Sequence, residues 1–317
     1  MQAYEIIDSI KESLNGKTPK AVYFIGCGGS MASLYASFYL LKTETKSIAT
    51  GIFTSGEFVN NPPKMLDNSC ICIICSRNAT AETVAACHKA NESGAFTIGM
   101  SGSTDTLMAK SGQYCITYTQ WSNGNQAVSL RLVFEILRRF ENYEHYDEAM
   151  AAYGKIDSVI QRGLEVNKHT ALKFAEECKD DDVFYVLGDG TLLATAYIMS
   201  TCHLMEMQNK HAVCCHSGEY FHGTFETTDK HIPIVLMMGT GRTRPLGERV
   251  RAFLNEYAGK VYIIDTVEFG IDELGKNVSE YFNSVIMITI EREMVYQLSL
   301  KTGRSIDERR YMWKFEY

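Results

Sequence analysis

The sequence contains no run of about 18 apolar residues, the length a helix needs to cross a bilayer, so no membrane span is expected. Proline is scarce, with 5 in 317 residues, while 45% of the chain is hydrophobic and 11% aromatic. That excludes the disordered and collagen-like classes, which cannot assemble such a core. Positive charge is in short supply too: 31 Lys and Arg stand against 38 acids, a formal net charge of −7. A general nucleic-acid binder needs the opposite sign, so no nucleic-acid partner is expected. The start, MQAYEIIDSIKESLNGK, lacks the apolar stretch and small-residue cleavage site of a secretory signal. The 10 cysteines therefore read as free thiols of a reduced, cytoplasmic protein. Cys72 and Cys75 have redox-motif spacing, but they sit in the apolar run CICIIC, where a thiol acts as a small hydrophobe.

What is present is an internal repeat. Residues 21–40 read AVYFIGCGGSMASLYASFYL and residues 183–200 read VFYVLGDGTLLATAYIMS. Each is an apolar β-rich run, then Gly-x-Gly with a hydroxyl residue, then a small and apolar helical stretch. Further apolar runs follow in matching order, at 70–76 and 94–101 in the first half and at 232–238 and 260–266 in the second. Helical patterns at 80–94 and 247–259 lie between them, each closing on a glycine. Apolar strands alternating with helices indicate parallel sheets covered on both faces. The expectation is an α/β protein of two domains, 1–160 and 161–317. Each is a mainly parallel sheet flanked by helices, a flavodoxin-like three-layer sandwich. The break can fall anywhere from 150 to 175.

Ligands of such sheets bind beyond the carboxyl ends of the strands. Gly26-Cys27-Gly28-Gly29-Ser30 is such a turn: glycines let the backbone approach an anion, the helix start favours it, and Ser30 adds a hydroxyl. A dinucleotide fingerprint fails because Met31 stands where its third glycine belongs, and the Gly-Lys-Ser/Thr of a P-loop is absent. A tight turn needing its glycines only for geometry remains the alternative. Cys75-Ser76-Arg77-Asn78-Ala79-Thr80 is a second turn, with Ser76 and Thr80 around Arg77, a set suited to one phosphate. Gly188-Asp189-Gly190-Thr191 is the matching turn of the second half, where Asp189 would repel a phosphate.

Residues 192–211, LLATAYIMSTCHLMEMQNKH, read as a long apolar helix with one acid, Glu206, between Met205 and Met207. A carboxylate in apolar surroundings is a candidate proton carrier beside a carbonyl; an exposed helix acid is the alternative. His222 is a second candidate, able to move a proton near neutrality, or else a turn histidine with structural hydrogen bonds. His203, His211, Cys214, Cys215, His216 and His222 crowd together, but no zinc-ligand spacing is met, so no metal is expected.

These turns, with Ser55-Gly56-Glu57-Phe58, Ser217-Gly218-Glu219-Tyr220-Phe221-His222-Gly223 and the tail Asp307-Glu308-Arg309-Arg310-Tyr311 ending Phe315-Glu316-Tyr317, resemble the sugar isomerase (SIS) family in its double-domain form. Within it they are most similar to the fructosamine 6-phosphate deglycases. One departure is that Cys75 and Arg77 stand where the family has serines. The resemblance implies a cofactor-free deglycase that cleaves a 6-phosphorylated sugar–amine conjugate to glucose 6-phosphate and a free amine. It makes Glu206 the general base and His222 the ring-opening group, supplied by a neighbouring subunit of a homodimer with shared sites. Substrate and phosphate contacts fall on Gly29, Ser30, Ser76, Arg77, Thr80, Glu57 and Glu219, with Arg309, Arg310 and Tyr311 from a tail that folds over the sugar. The alternatives are a ketose–aldose phosphosugar isomerase without C–N cleavage and a non-catalytic phosphosugar-binding regulator.

Overall fold

The computed structural model describes residues 1–118 and 123–315, so Glu316 and Tyr317 of the tail motif lie outside the described residues. The chain divides into two compact units, Met1–Met150 and Ala151–Tyr317.

In the first unit the elements run α1 (Ala3–Ser13), β1 (Ala21–Gly26), α2 (Gly28–Glu44), β2 (Ala49–Thr54), α3 (Ser55–Asn60) and β3 (Cys70–Cys75). They continue α4 (Ala81–Glu92), β4 (Phe96–Ser101), α5 (Leu107–Ser111), β5 (Tyr114–Thr117), α6 (Asn123–Glu141) and α7 (Tyr146–Tyr153), whose end passes into the second unit. All five strands are parallel, in the order β2-β1-β3-β4-β5. β1 and β3 are buried at every position because each has a strand on either side and helices above and below. Their side chains alternate between two cores. Tyr23, Ile25, Cys72 and Ile74 meet Phe58 of α3, Cys87 of α4 and Met108 of α5. Phe24 faces the other way and packs edge-on against Phe38 of α2, ring centres 6.2 Å apart. Phe58 is fully buried, and truncating it to alanine costs about 3–5 kcal/mol.

The second unit repeats the plan with one strand fewer: α8 (Ile156–Cys178), β6 (Val183–Gly188), α9 (Leu192–Tyr197), β7 (His211–His216), β8 (Pro233–Met238), α10 (Arg244–Tyr257), β9 (Lys260–Asp265) and α11 (Ser279–Thr302). Its four strands are parallel in the order β7-β6-β8-β9. Leu187, Leu236 and Met238 pack on Val250 and Leu254 of α10, while Phe174 of α8 packs on Phe184 of β6. Position 160/161 lies inside α8, and the division between the compact units, at 150/151, falls within α7.

The long helix expected over 192–211 is corrected. α9 passes into a π-helix, Ile198–Met205, and the chain then turns, so that 211–216 forms a strand. Asn209 sits at φ +54°, a left-handed conformation that ends a helix and that asparagine tolerates. β7 is the edge strand beside β6, and its half-exposed HAVCCH run lacks the continuous apolar character of a central strand.

Candidate active site

In the first sheet the strand order reverses between β1 and β3, and at such a switch point the loops leave in opposite directions and open a crevice. The turns at 26–30 and 75–80 flank that crevice, and Glu57 lies in the first turn of α3 just beyond the end of β2. Gly26 is needed for the close approach: a Cβ there would stand 3.0 Å from Met31 N and 3.2 Å from Cys75 O. Gly28 takes φ +52°, and no side chain caps the N-terminus of α2. Its positive end is thereby presented with Gly29 and Ser30 partly exposed.

The hydroxyls are tied into the loops. Ser76 is 3% exposed, and its Oγ accepts from Thr80 N at 3.1 Å. Thr80 Oγ1 meets Thr83 Oγ1 at 2.9 Å, and Thr83 in turn meets Ser55 Oγ at 2.9 Å, linking the loops after β2 and β3. Thr80 and Arg77 are exposed at the rim, as is Glu57. The buried serine thus shapes the turn, and the exposed hydroxyl and cation face outward.

In the second unit Glu206 follows the π-helix directly, a helix type frequent at functional sites. Its backbone N donates to Thr201 O at 3.1 Å. The expected lodging among methionines is not what surrounds it. Met205 is exposed, Met207 is buried, and the side chain against the carboxylate is Arg309 of the tail, whose Nε donates to Oε1 at 2.6 Å. Arg309 is itself held by the carbonyls of Ile306 and Glu308 at 2.8 and 2.9 Å, and it lies 5.4 Å from the centre of the Trp313 ring. The tail is fastened nearby: Arg304 Nε donates to Met207 O at 2.7 Å, and Gln208 Nε2 donates to Arg304 O at 3.1 Å. An oriented carboxylate under a charged clamp results. Arg310 and Tyr311 are exposed.

His222 and Glu219 lie elsewhere, in the turn after β7, and both are exposed. That turn is held by Tyr220, 1% exposed, and by Phe221, over which Arg249 stacks at 4.1 Å. Glu206 precedes the start of β7 and His222 follows its end, with six residues of strand between. A strand of that length spans about 20 Å. Within one chain the acid and the histidine therefore belong to opposite ends of the second sheet. Among the described residues no group of three or more His, Cys, Asp or Glu side chains is placed to hold a metal ion.

No family model matches the chain. Fructosamine deglycase FrlB of Bacillus subtilis, however, is 32% identical over 98% of this chain and 97% of its own length. The chain belongs to the fructosamine deglycase family. Fructoselysine 6-phosphate deglycase of Escherichia coli is 20% identical, covering 96% of this chain and 89% of its own. A crystal structure from Salmonella typhimurium LT2, described as a candidate phosphosugar isomerase, is 38% identical with a TM-score of 0.94, covering 100% of this chain and 98% of that one. The double SIS-type α/β architecture is shared with that crystal structure.

Within this family fold the structure adds a pair that sequence reasoning did not assemble. His203 Nδ1 lies 2.9 Å from Glu291 Oε2, and both residues are buried. Burial pushes the Glu291 carboxyl up from the ordinary carboxylate range, and the facing histidine offsets part of that rise. Glu291 stands in the charged triplet Glu291-Arg292-Glu293 within an otherwise apolar stretch of α11, so nothing local marked it as the buried one.

Proposed function

We propose that the protein is a cofactor-free deglycase that cleaves a 6-phosphorylated Amadori conjugate, such as fructoselysine 6-phosphate, to glucose 6-phosphate and a free amine. The observation that carries this reading is the full-length 32% identity to a fructosamine deglycase. The clamped carboxylate at the end of a π-helix and the anion-favouring crevice at β1 and β3 support it. The helix start at Gly28–Ser30, with Thr80 and Arg77, holds the phosphate, while Ser76 shapes the turn. Glu57, Glu219, Arg310 and Tyr311 contact the rest of the substrate.

Chemically, His222 moves a proton from the anomeric hydroxyl to the ring oxygen and opens the sugar. Glu206 then takes a proton from C1; the C–H electron pair forms a C1=C2 double bond and the C2 oxygen gains a proton. Return of a proton to C2, with the nitrogen lone pair closing to C1, gives the imine of the aldose. Water adds to C1, the C–N bond breaks toward nitrogen, and the amine leaves with a proton. The carbonyl acidifies the neighbouring C–H, and the phosphate anchor places the carbons. Because Glu206 and His222 sit at opposite ends of one sheet, His222 serves the site of a second copy, and the working form is a homodimer. All ten cysteines are free thiols, which fits a reducing, cytoplasmic setting.

The test is to offer fructoselysine 6-phosphate and fructose 6-phosphate separately and to assay glucose 6-phosphate and free amine. Release of both products from the conjugate, lost by about 10²–10⁴-fold in Glu206→Gln, is expected. Glucose 6-phosphate from fructose 6-phosphate alone identifies an isomerase, and no turnover of either identifies a regulator. Mixing Glu206→Gln with His222→Ala subunits should restore about a quarter of the activity if sites are shared.

A further inference from the structure

We infer that His203 and Glu291 form a buried positioning pair that sets where the Glu206 carboxylate stands. The inference rests on the reading of Glu206 as the proton-transferring group and goes beyond it by naming what holds that group in place.

His203 lies three residues before Glu206 and is 4% exposed, and its carbonyl accepts from Met207 N and Gln208 N, both at 3.2 Å. The His203 peptide is therefore the anchor of the turn that carries Glu206. Its ring fastens that turn to the middle of α11 through the 2.9 Å contact with Glu291 Oε2. Glu291 is fully buried on a helix whose neighbouring residues Met287, Ile288 and Met294 are buried too, and its Oε1 is buried with no hydrogen-bond partner. An acid with one unmet oxygen is a cost that an apolar side chain would not carry. Packing alone gives no reason for it. What the pair supplies, and a leucine contact would not, is a bond of fixed direction between the turn and α11. The charged and titratable groups acting on Glu291 are His203 and Arg292.

The other constraint on Glu206 also descends from α11. At its end Thr302 Oγ1 donates to Gln208 Oε1 at 2.9 Å, and the tail beyond returns Arg309 to the carboxylate. Thus α11 holds the turn through His203, and the tail that follows it holds the carboxylate through Arg309.

The test is steady-state deglycation by three variants of the full chain. In His203→Leu/Glu291→Leu no charge is left alone, and replacing both partners is close to neutral for folding. It should melt near the wild type, with kcat about tenfold lower or more and KM within twofold. His203→Asn keeps a donor where Nδ1 stands and should hold kcat within threefold. A folded double variant with wild-type kcat overturns the inference, as does an Asn variant as slow as the double. Should the double variant fail to fold, Glu291→Gln decides, because its neutral amide still accepts from Nδ1. A kcat within threefold and an unmoved pH–rate profile support positioning, whereas a tenfold loss overturns it. Glu206→Gln is the separate control: if it turns over normally, the reading of Glu206 has failed, whatever the pair does.

Discussion

Gly28 and Gly190 hold the same place in two turns built alike, at φ +52° and +53°, yet the residue before each differs in kind, Cys27 in one and Asp189 in the other. Asp189 is 4% exposed and its Oδ2 has no hydrogen-bond partner; a Cβ on Gly247, in the first turn of α10, would lie 3.4 Å from that oxygen. The second turn thus places its own carboxylate beside a helix start. The cations after β8 are likewise spent inside the unit, Arg242 on Glu280 at 2.7 Å and Arg244 on Asp265 at 2.8 Å. In the first unit the turn itself contributes no carboxylate, though Glu82 of α4 borders it, its Oε2 accepting from Cys27 Sγ at 3.5 Å, and Arg77 lies at the surface. One scaffold therefore serves both as a proposed anion crevice and as a filled, structural copy of it, and the difference lies in side-chain charge rather than backbone.

The sharpest way to break this comparison is Cys27→Asp, which gives the first turn the contents of the second. A like charge at contact distance should raise KM about a hundredfold or more; an unchanged KM in steady-state assays would remove the phosphate from that turn. Next come the two glycines. Gly28→Ala has nothing within 4 Å of its Cβ and should cost about 1 kcal/mol through its backbone conformation alone. The Cβ of Gly190→Ala would stand 2.7 Å from Thr243 Oγ1, so about 2 kcal/mol or more is expected, read by urea unfolding of both variants. Arg77→Ala should raise KM about tenfold, while Arg242→Ala, already engaged by Glu280, should leave it within twofold.

The smallest effect concerns Asp189. Burial raises its carboxyl above the ordinary value of 3.8, so the folded chain keeps a proton that the unfolded chain has lost. Stability from this group is complete below that ordinary value and is lost as pH rises through the raised one. Asp189→Asn should therefore stabilise by about 1 kcal/mol at pH 7, with the gain vanishing below about pH 4. A gain that persists in acid would mean the carboxylate's charge is not its cause.

The parts legible in sequence were those with local signatures. The central strands β1, β3 and β8 are continuous apolar runs because they are covered on every side, and the Gly-x-Gly turns announce themselves. The edge strands β2 and β7 carry no such run, being largely half-buried or exposed, although the edge strand β9 keeps an apolar run that was legible. Reading 192–211 as one helix failed at Asn209, where a single left-handed residue outweighs the apolar pattern that precedes it.

The sequence by itself determined the two α/β halves and the turns at the strand ends, because periodicity and turn chemistry act over a few residues, whereas Glu206 and His222 stood out as candidates through the family resemblance. Tertiary structure alone decided what surrounds that acid. Its clamp, Arg309, is 103 residues away, and the partner of the histidine anchoring its turn, Glu291, is 88 residues from His203. Contacts of that range depend on how helices and tail pack, and no local pattern encodes them.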